Sequence, residues 1–101
     1  MVRHIVFFKL KQGVLEKEKD QFVKELLELQ NKIDVVRAIE VASDIGKKEN
    51  SCDIVLNSLF DSMAAVEEYA VHPAHIEVLK TVKALCETTS KIDYKTKLVY
   101  I

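Results

Sequence analysis

The chain has 101 residues, 49% of them hydrophobic, which fits a single domain spanning residues 1–101 with one core. Its 15 basic and 16 acidic residues give a formal net charge of −1, and without a basic block or arginine stripe nucleic acid is a poor partner. Short, interrupted apolar runs exclude a membrane-spanning segment, and the first ten residues do not resemble a signal peptide. Cys52 and Cys86 lack metal-type spacing, so we expect reduced thiols and a cytoplasmic location.

The first predicted element is a strand from Val2 to Leu10. His4 and Phe8 lie on one face of this strand, and Ile5 and Phe7 lie on the other. Because apolar side chains occupy both faces of the strand centre, the pattern is typical of a central strand covered on both sides.

A helix is predicted next, from Glu16 to Ile33, because apolar residues recur there at the +4, +3, +4 spacing of a helical stripe. Two strands follow, from Val35 to Ala42 and from Cys52 to Phe60. The polar segment between them, Asp44 to Ser51, predicts a connection of hairpin type.

The second helical pattern is interrupted. Asp61 or Ser62 is a suitable N-cap for its first part. Pro73 breaks the pattern, because proline disfavours helical geometry in the residue before it, but it suits the first turn of a new helix. We expect that new helix to run to about Cys86.

The segment Thr88-Thr89-Ser90 is predicted to end this helix, and a last strand is predicted from Ile92 to Ile101. The order βαββαβ predicts an α+β, ferredoxin-like fold: a four-stranded antiparallel sheet with the first and third strands central and the helices on one face. Ile5 and Phe7 then point away from the helices. The simplest cover for that face is an identical sheet, so we predict a homodimer.

Four motifs follow one another along the chain: the opening strand at 1–11, the strand 53–58 running into 60–62, the His-Pro-Ala-His of 72–75, and Ile92-Asp93-Tyr94. In this order and spacing they resemble the stress-responsive dimeric α/β-barrel (Dabb) domain family. The resemblance covers nearly the whole chain. It implies a ferredoxin-like protomer whose sheet pairs with that of its twin to form a dimeric α+β barrel.

The resemblance also implies candidate site residues. Most family members similar to this chain have no established activity, and plant members are tied to stress tolerance. A few plant members are polyketide cyclases with a pocket between sheet and helices, where residues matching His4, Tyr69 and His75 face the substrate. Those cyclases carry a further histidine in the third strand, where this chain has Ile54.

The residues themselves support the same candidates, each with a structural alternative. His75 lies on the apolar stripe of its helix, where neutral imidazole can act as a general base, or it fills space and donates to a backbone carbonyl. His4, on a buried strand face, either shares acid/base roles with His75 or makes a structural hydrogen bond. The hydroxyl of Tyr69 can polarise a carbonyl, or Tyr69 is a core residue with an exposed tip.

His72 precedes the proline, so we expect it at the helix boundary, as a cap or facing solvent. His72 and His75 are spaced i, i+3, which favours a shared metal only if one helix continues through both. Pro73 argues against such a helix, and we predict neither a metal nor a cofactor.

The leading hypothesis is a cytoplasmic homodimer that binds a small apolar or aromatic molecule in each protomer. If it is an enzyme, we expect cofactor-free acid/base chemistry on a carbonyl compound, with His75 as base and Tyr69 assisting. The predicted apolar walls of the pocket are Phe8, Ile54, Leu56, Val66 and Leu79. The first alternative is a non-catalytic, stress-associated structural dimer without an open pocket. A second alternative is a monooxygenase of the wider dimeric-barrel superfamily, so the sequence leaves open whether the protein is an enzyme.

Overall fold

A computed structural model describes residues 1–97, which form four strands and three helices. The elements are β1 Val2–Leu10, α1 Glu16–Lys32, β2 Ala38–Ser43, β3 Ile54–Phe60, α2 Met63–Val71, α3 Pro73–Leu85 and β4 Cys86–Lys95. This order confirms the predicted ferredoxin-like α+β fold, with the second helical segment divided at Pro73. None of the helices in the described range is long and apolar enough to cross a membrane.

The four strands form one antiparallel sheet in the order β2-β3-β1-β4, so β1 and β3 are central as predicted. The register places His4 between Ser58 of β3 and Asp93 of β4. Since directly paired residues point to the same side of a sheet, these three side chains share one face.

Helix α1 covers this face with a buried stripe of Phe22, Leu26 and Leu29. The rings of Phe8 and Phe22 meet edge to face, with centroids 5.2 Å apart. Burial of each such side chain contributes about 1.5–3 kcal/mol to folding, which makes this contact a main support of the sheet–helix interface.

The boundary between α3 and β4 differs from the prediction. The helix predicted to run to about Cys86 ends at Leu85, but Thr88-Thr89-Ser90 is not the break that was expected to end it, because β4 begins at Cys86. Threonine is favourable in strands, and the run continues the ladder with β1. The predicted strand Ile92 to Ile101 therefore begins too late; β4 ends at Lys95, and residues 98–101 lie outside the described residues.

The sheet face opposite the helices carries exposed apolar side chains. Phe7, Ile92 and Tyr94 retain 40%, 52% and 43% of their surface, and Ile5 pairs directly with Ile92 across β1 and β4. An apolar patch of this kind on a small protein marks an interaction surface. We call these four residues the open sheet face.

Candidate functional site

A single residue, His72, joins α2 to α3. Its backbone is extended (φ −65°, ψ 138°), as expected for a residue before proline, and its Nδ1 accepts a hydrogen bond from the Ala74 N–H at 3.0 Å. The predicted cap role is thereby confirmed. The turn leaves Tyr69 in the last turn of α2 beside His75 in the first turn of α3, with ring centroids 4.6 Å apart.

The backbone fixes the tautomer and orientation of the His75 ring. Its Nδ1 lies 3.0 Å from the carbonyl oxygen of Ala70, which can only accept, so Nδ1 carries the proton and Nε2 of the neutral ring is an acceptor. Burial lowers the pKa of His75 below its ordinary value of 6.5, and the nearby charges of His4 and Lys91 lower it further, against the opposing effect of the Ala70 hydrogen bond. The imidazole is therefore a neutral potential base at pH 7.

His4 is anchored by residues of both neighbouring strands. Its Nδ1 lies 2.5 Å from Oδ1 of Asp93, its direct partner on β4, and Ser58 Oγ donates to the His4 carbonyl oxygen at 2.9 Å. A carboxylate at Nδ1 holds the ring in one orientation and leaves Nε2 for other contacts. His4 is only 6% exposed, and with this hydrogen bond it is a fixed polar group on an otherwise apolar part of the sheet.

Tyr69 lies between the two histidines. Its ring centroid is 5.9 Å from that of His4 and 5.1 Å from that of Phe60, and the residue is 2% exposed. Burial raises the pKa of its phenol to about 12, so it remains a protonated donor in neutral solution. Tyr69 lines the cavity described below, where its hydroxyl can donate a hydrogen bond to a ligand.

These three residues line one cavity of about 510 Å³ between the sheet and the helices. Of the five predicted wall residues, Phe8, Leu56, Val66 and Leu79 line it. Ile54 does not: it is 1% exposed in the core at the start of β3, two residues from Leu56 on the same face. Two hollows of similar volume, near 470 and 540 Å³, contain neither histidine nor cysteine.

Sequence reasoning missed the contribution of β4. Thr89 and Lys91 line the cavity, and Asp93 supports His4 from behind. The alternation Ile92-Asp93-Tyr94-Lys95 marks the second half of this strand, but the uninterrupted polar run from Glu87 to Lys91 gave no strand signal for the residues that line the cavity. Among the residues that the structure describes, no three His, Cys, Asp or Glu side chains are grouped closely enough to hold a metal ion.

Comparison with known proteins gives a consistent picture. The sequence profile of the family described as Stress responsive A/B Barrel Domain (Dabb) matches residues 2–96. Olivetolic acid cyclase from Cannabis sativa is 25% identical over 95 residues, covering 92% of this chain and 94% of the cyclase. The stress-response A/B barrel domain-containing protein HS1 from Arabidopsis thaliana is 28% identical over 96 residues, covering 93% and 88%.

A solved structure extends this likeness. A dimeric protein of unknown function and ferredoxin-like fold from Bacteroides fragilis is 33% identical, with a TM-score of 0.79, and the match covers 94% of this chain and 95% of that one. Sequence and fold therefore agree over nearly the full length.

Proposed function

Because the chain belongs to the stress-responsive A/B barrel domain (Dabb) family, we propose that its cavity binds a small, largely apolar or aromatic molecule. The observation that carries the proposal is that His4, Tyr69 and His75 meet at one cavity whose remaining walls are mainly apolar. Its volume of about 510 Å³ lies within the usual range for small-molecule sites, about 300–1,000 Å³.

The chemistry proposed for this cavity is cofactor-free proton transfer next to a carbonyl group. Nε2 of His75 takes a proton from the carbon beside the carbonyl and becomes imidazolium, while the C–H electron pair forms the enolate. The Tyr69 hydroxyl donates a hydrogen bond to the oxygen on which negative charge develops. His4, fixed by Asp93, orients a second polar group of the ligand.

Two further observations support this chemistry. The relative from Cannabis sativa, similar over 92% of this chain, is by name a cyclase of an organic acid. The low pKa of His75 and the high pKa of Tyr69 also separate a base from a proton donor within one contact, which is the division of roles that acid/base catalysis needs.

Deuterium exchange tests the proposal directly. The protein is incubated in D₂O with 4-phenylbutan-2-one, and incorporation beside the carbonyl is followed by NMR. We expect exchange to be accelerated by the wild-type protein and to fall by about 10²-fold or more in His75→Gln. The matched control is His72→Asn, because asparagine preserves the helix cap, and it should exchange like the wild type. Equal rates in wild type and His75→Gln would exclude His75 as the base.

We also propose that the protein is a homodimer in which the open sheet face packs against its twin. The exposed side chains of Phe7, Ile92 and Tyr94 support this, as does the dimeric state of the Bacteroides fragilis relative.

A dimer without catalytic activity is the second candidate function. It predicts normal assembly and no exchange above the rate in buffer alone.

A further inference from the structure

The edge strand β4 contributes two residues to the wall of the cavity. Thr89 and Lys91 lie two residues apart on β4, so they share a sheet face, and Lys91 pairs with Val6 of β1. Both side chains line the same cavity as His4 and His75. The cavity therefore has an apolar interior and, on its β4 side, a hydroxyl and an ammonium group.

The charges around the cavity are one-sided. Among residues 1–97, the lining of the cavity includes Lys91 but neither Asp nor Glu. Within residues 1–97 no acidic side chain forms an ion pair with Lys91. The nearby acid on its own strand, Asp93, is engaged with His4 and does not line the cavity.

An ammonium group beside a concave apolar surface attracts anions more strongly than one on a flat, fully hydrated surface, because the low-dielectric walls focus its field. Burial is the main cause of the lowered pKa of His75, and the charge of Lys91, which lines the same cavity, adds to it. A negatively charged group of a ligand would be attracted to the part of the cavity that Lys91 lines.

We propose that the natural ligand is an apolar organic acid, with its carboxylate held by Lys91 and Thr89 and its apolar body against the helices. This inference rests on the proposed function, because it specifies the ligand class of the same cavity. The ammonium and hydroxyl donate to the carboxylate oxygens. The carbonyl group on which the chemistry acts then lies deeper, at Tyr69 and His75.

A matched pair of probes isolates the charge. 4-Phenylbutyrate and its neutral amide, 4-phenylbutanamide, have the same apolar body, and their dissociation constants can be measured at pH 7 from NMR shifts of the His4 and His75 rings. We expect the wild-type protein to bind the carboxylate about five- to tenfold more tightly than the amide, with a preference that weakens in high salt.

Three variants assign this preference to one residue. Lys91→Met should bind both probes equally, and Lys91→Glu should bind the amide in preference to the carboxylate. Lys95→Met is the control, because Lys95 lies on the same strand and the same face but does not line the cavity, and it should retain the wild-type preference. Each variant is first checked for a native amide spectrum.

The outcomes separate the two proposals. If both probes shift the histidine rings but bind equally to the wild type, or if Lys91→Met retains the preference, the anion inference is wrong while the proposed binding function stands. If neither probe shifts the rings of His4 and His75, ligand binding in this cavity fails, and the anion inference fails with it.

Discussion

His4 and Asp93 are direct partners on neighbouring antiparallel strands, with Nδ1 of the imidazole 2.5 Å from Oδ1 of the carboxylate. His75 is fixed in the same way at Nδ1, by the carbonyl oxygen of Ala70. Both rings consequently keep their Nε2 atoms free of these anchoring contacts. One ring is set by a side chain and the other by the backbone, so only the first can be released by mutation of its partner.

Replacement of Asp93 by alanine should destabilise the protein and disorder His4. The His4 and Asp93 side chains retain only 8% and 21% of their surface, so their hydrogen bond is largely protected from water. We expect a loss of about 1–3 kcal/mol in the free energy of unfolding, measured with urea. Asp61→Ala is the control, because the Arg37–Asp61 pair it breaks is more than half exposed, and its effect should be smaller. Equal effects would contradict the prediction.

Replacement of Tyr69 by phenylalanine should separate structure from chemistry. The ring contacts with Phe60 and His75 are kept, so the free energy of unfolding should change by less than about 1 kcal/mol. Deuterium exchange should fall by about 10²-fold, because the donor to the developing oxyanion is lost. Tyr94→Phe, on the open sheet face, should exchange at the wild-type rate. Unchanged exchange in Tyr69→Phe would restrict Tyr69 to packing.

The pH dependence of exchange should follow His75. Groups facing this ring are Tyr69 from α2, His4 from β1 and Lys91 from β4, while α1 contributes only apolar side chains to the cavity. Since the pKa of His75 lies below 6.5, exchange should rise with pH, with a midpoint below 6.5. In Lys91→Met the midpoint should move to higher pH, because a charge that lowers this pKa is removed. A midpoint above 6.5 in the wild type would contradict the prediction.

The free energy of unfolding should also depend on the protonation of His75. The direction in which folding shifts the pKa of His75 fixes the sign of this dependence. The folded pKa of His75 is lower than the unfolded value, so the unfolded state binds the proton first as pH falls through 6.5. The free energy of unfolding therefore decreases from pH 6.5 down to the folded pKa, and this contribution is constant below it. Urea unfolding of His75→Gln across this range should lack that part of the decrease.

Assembly through the open sheet face can be tested with a single charge. Phe7→Glu places a carboxylate on the open sheet face, and we expect it to convert the dimer to a monomer in light scattering at micromolar concentration. Ile45→Glu is the control, because Ile45 is 94% exposed in a loop and outside the sheet, and it should remain dimeric. A monomeric wild-type protein would refute the homodimer.

Local patterns were sufficient for much of this fold. The alternation of apolar side chains predicts β1 with the observed bounds, the helical spacing predicts α1 to within one residue, and Pro73 predicts the division of the second helix. Each of these signals lies within one element, where the backbone period alone determines which side chains share a face. The resemblance to the Dabb family named His4, Tyr69 and His75, and the structure brings them together at one cavity.

The remaining site residues depend on pairing between distant segments. Asp93 contacts His4 only because β4 pairs with β1 in one particular register, and a shift by one residue would turn its side chain to the opposite face. The threonines before it resemble a helix end as much as a strand start, so Thr89 and Lys91 were not placed at the cavity. Ile54 does not line the cavity for a related reason. Alternation along β3 indicates the sheet face on which Ile54 lies, but it does not indicate how far along the strand the cavity extends.

The one-residue joint at His72 limits how this cavity can diversify. Tyr69 and His75 lie three residues on either side of the joint, so a residue inserted or deleted there would disrupt the cap that His72 makes with Ala74 and displace His75 from the Ala70 carbonyl oxygen. Leu79, Val82 and Thr89, by contrast, can change without altering the joint. Substitutions in the cavity wall can thus change which ligands fit, whereas a change in chain length between Tyr69 and His75 would disturb the contact between their rings.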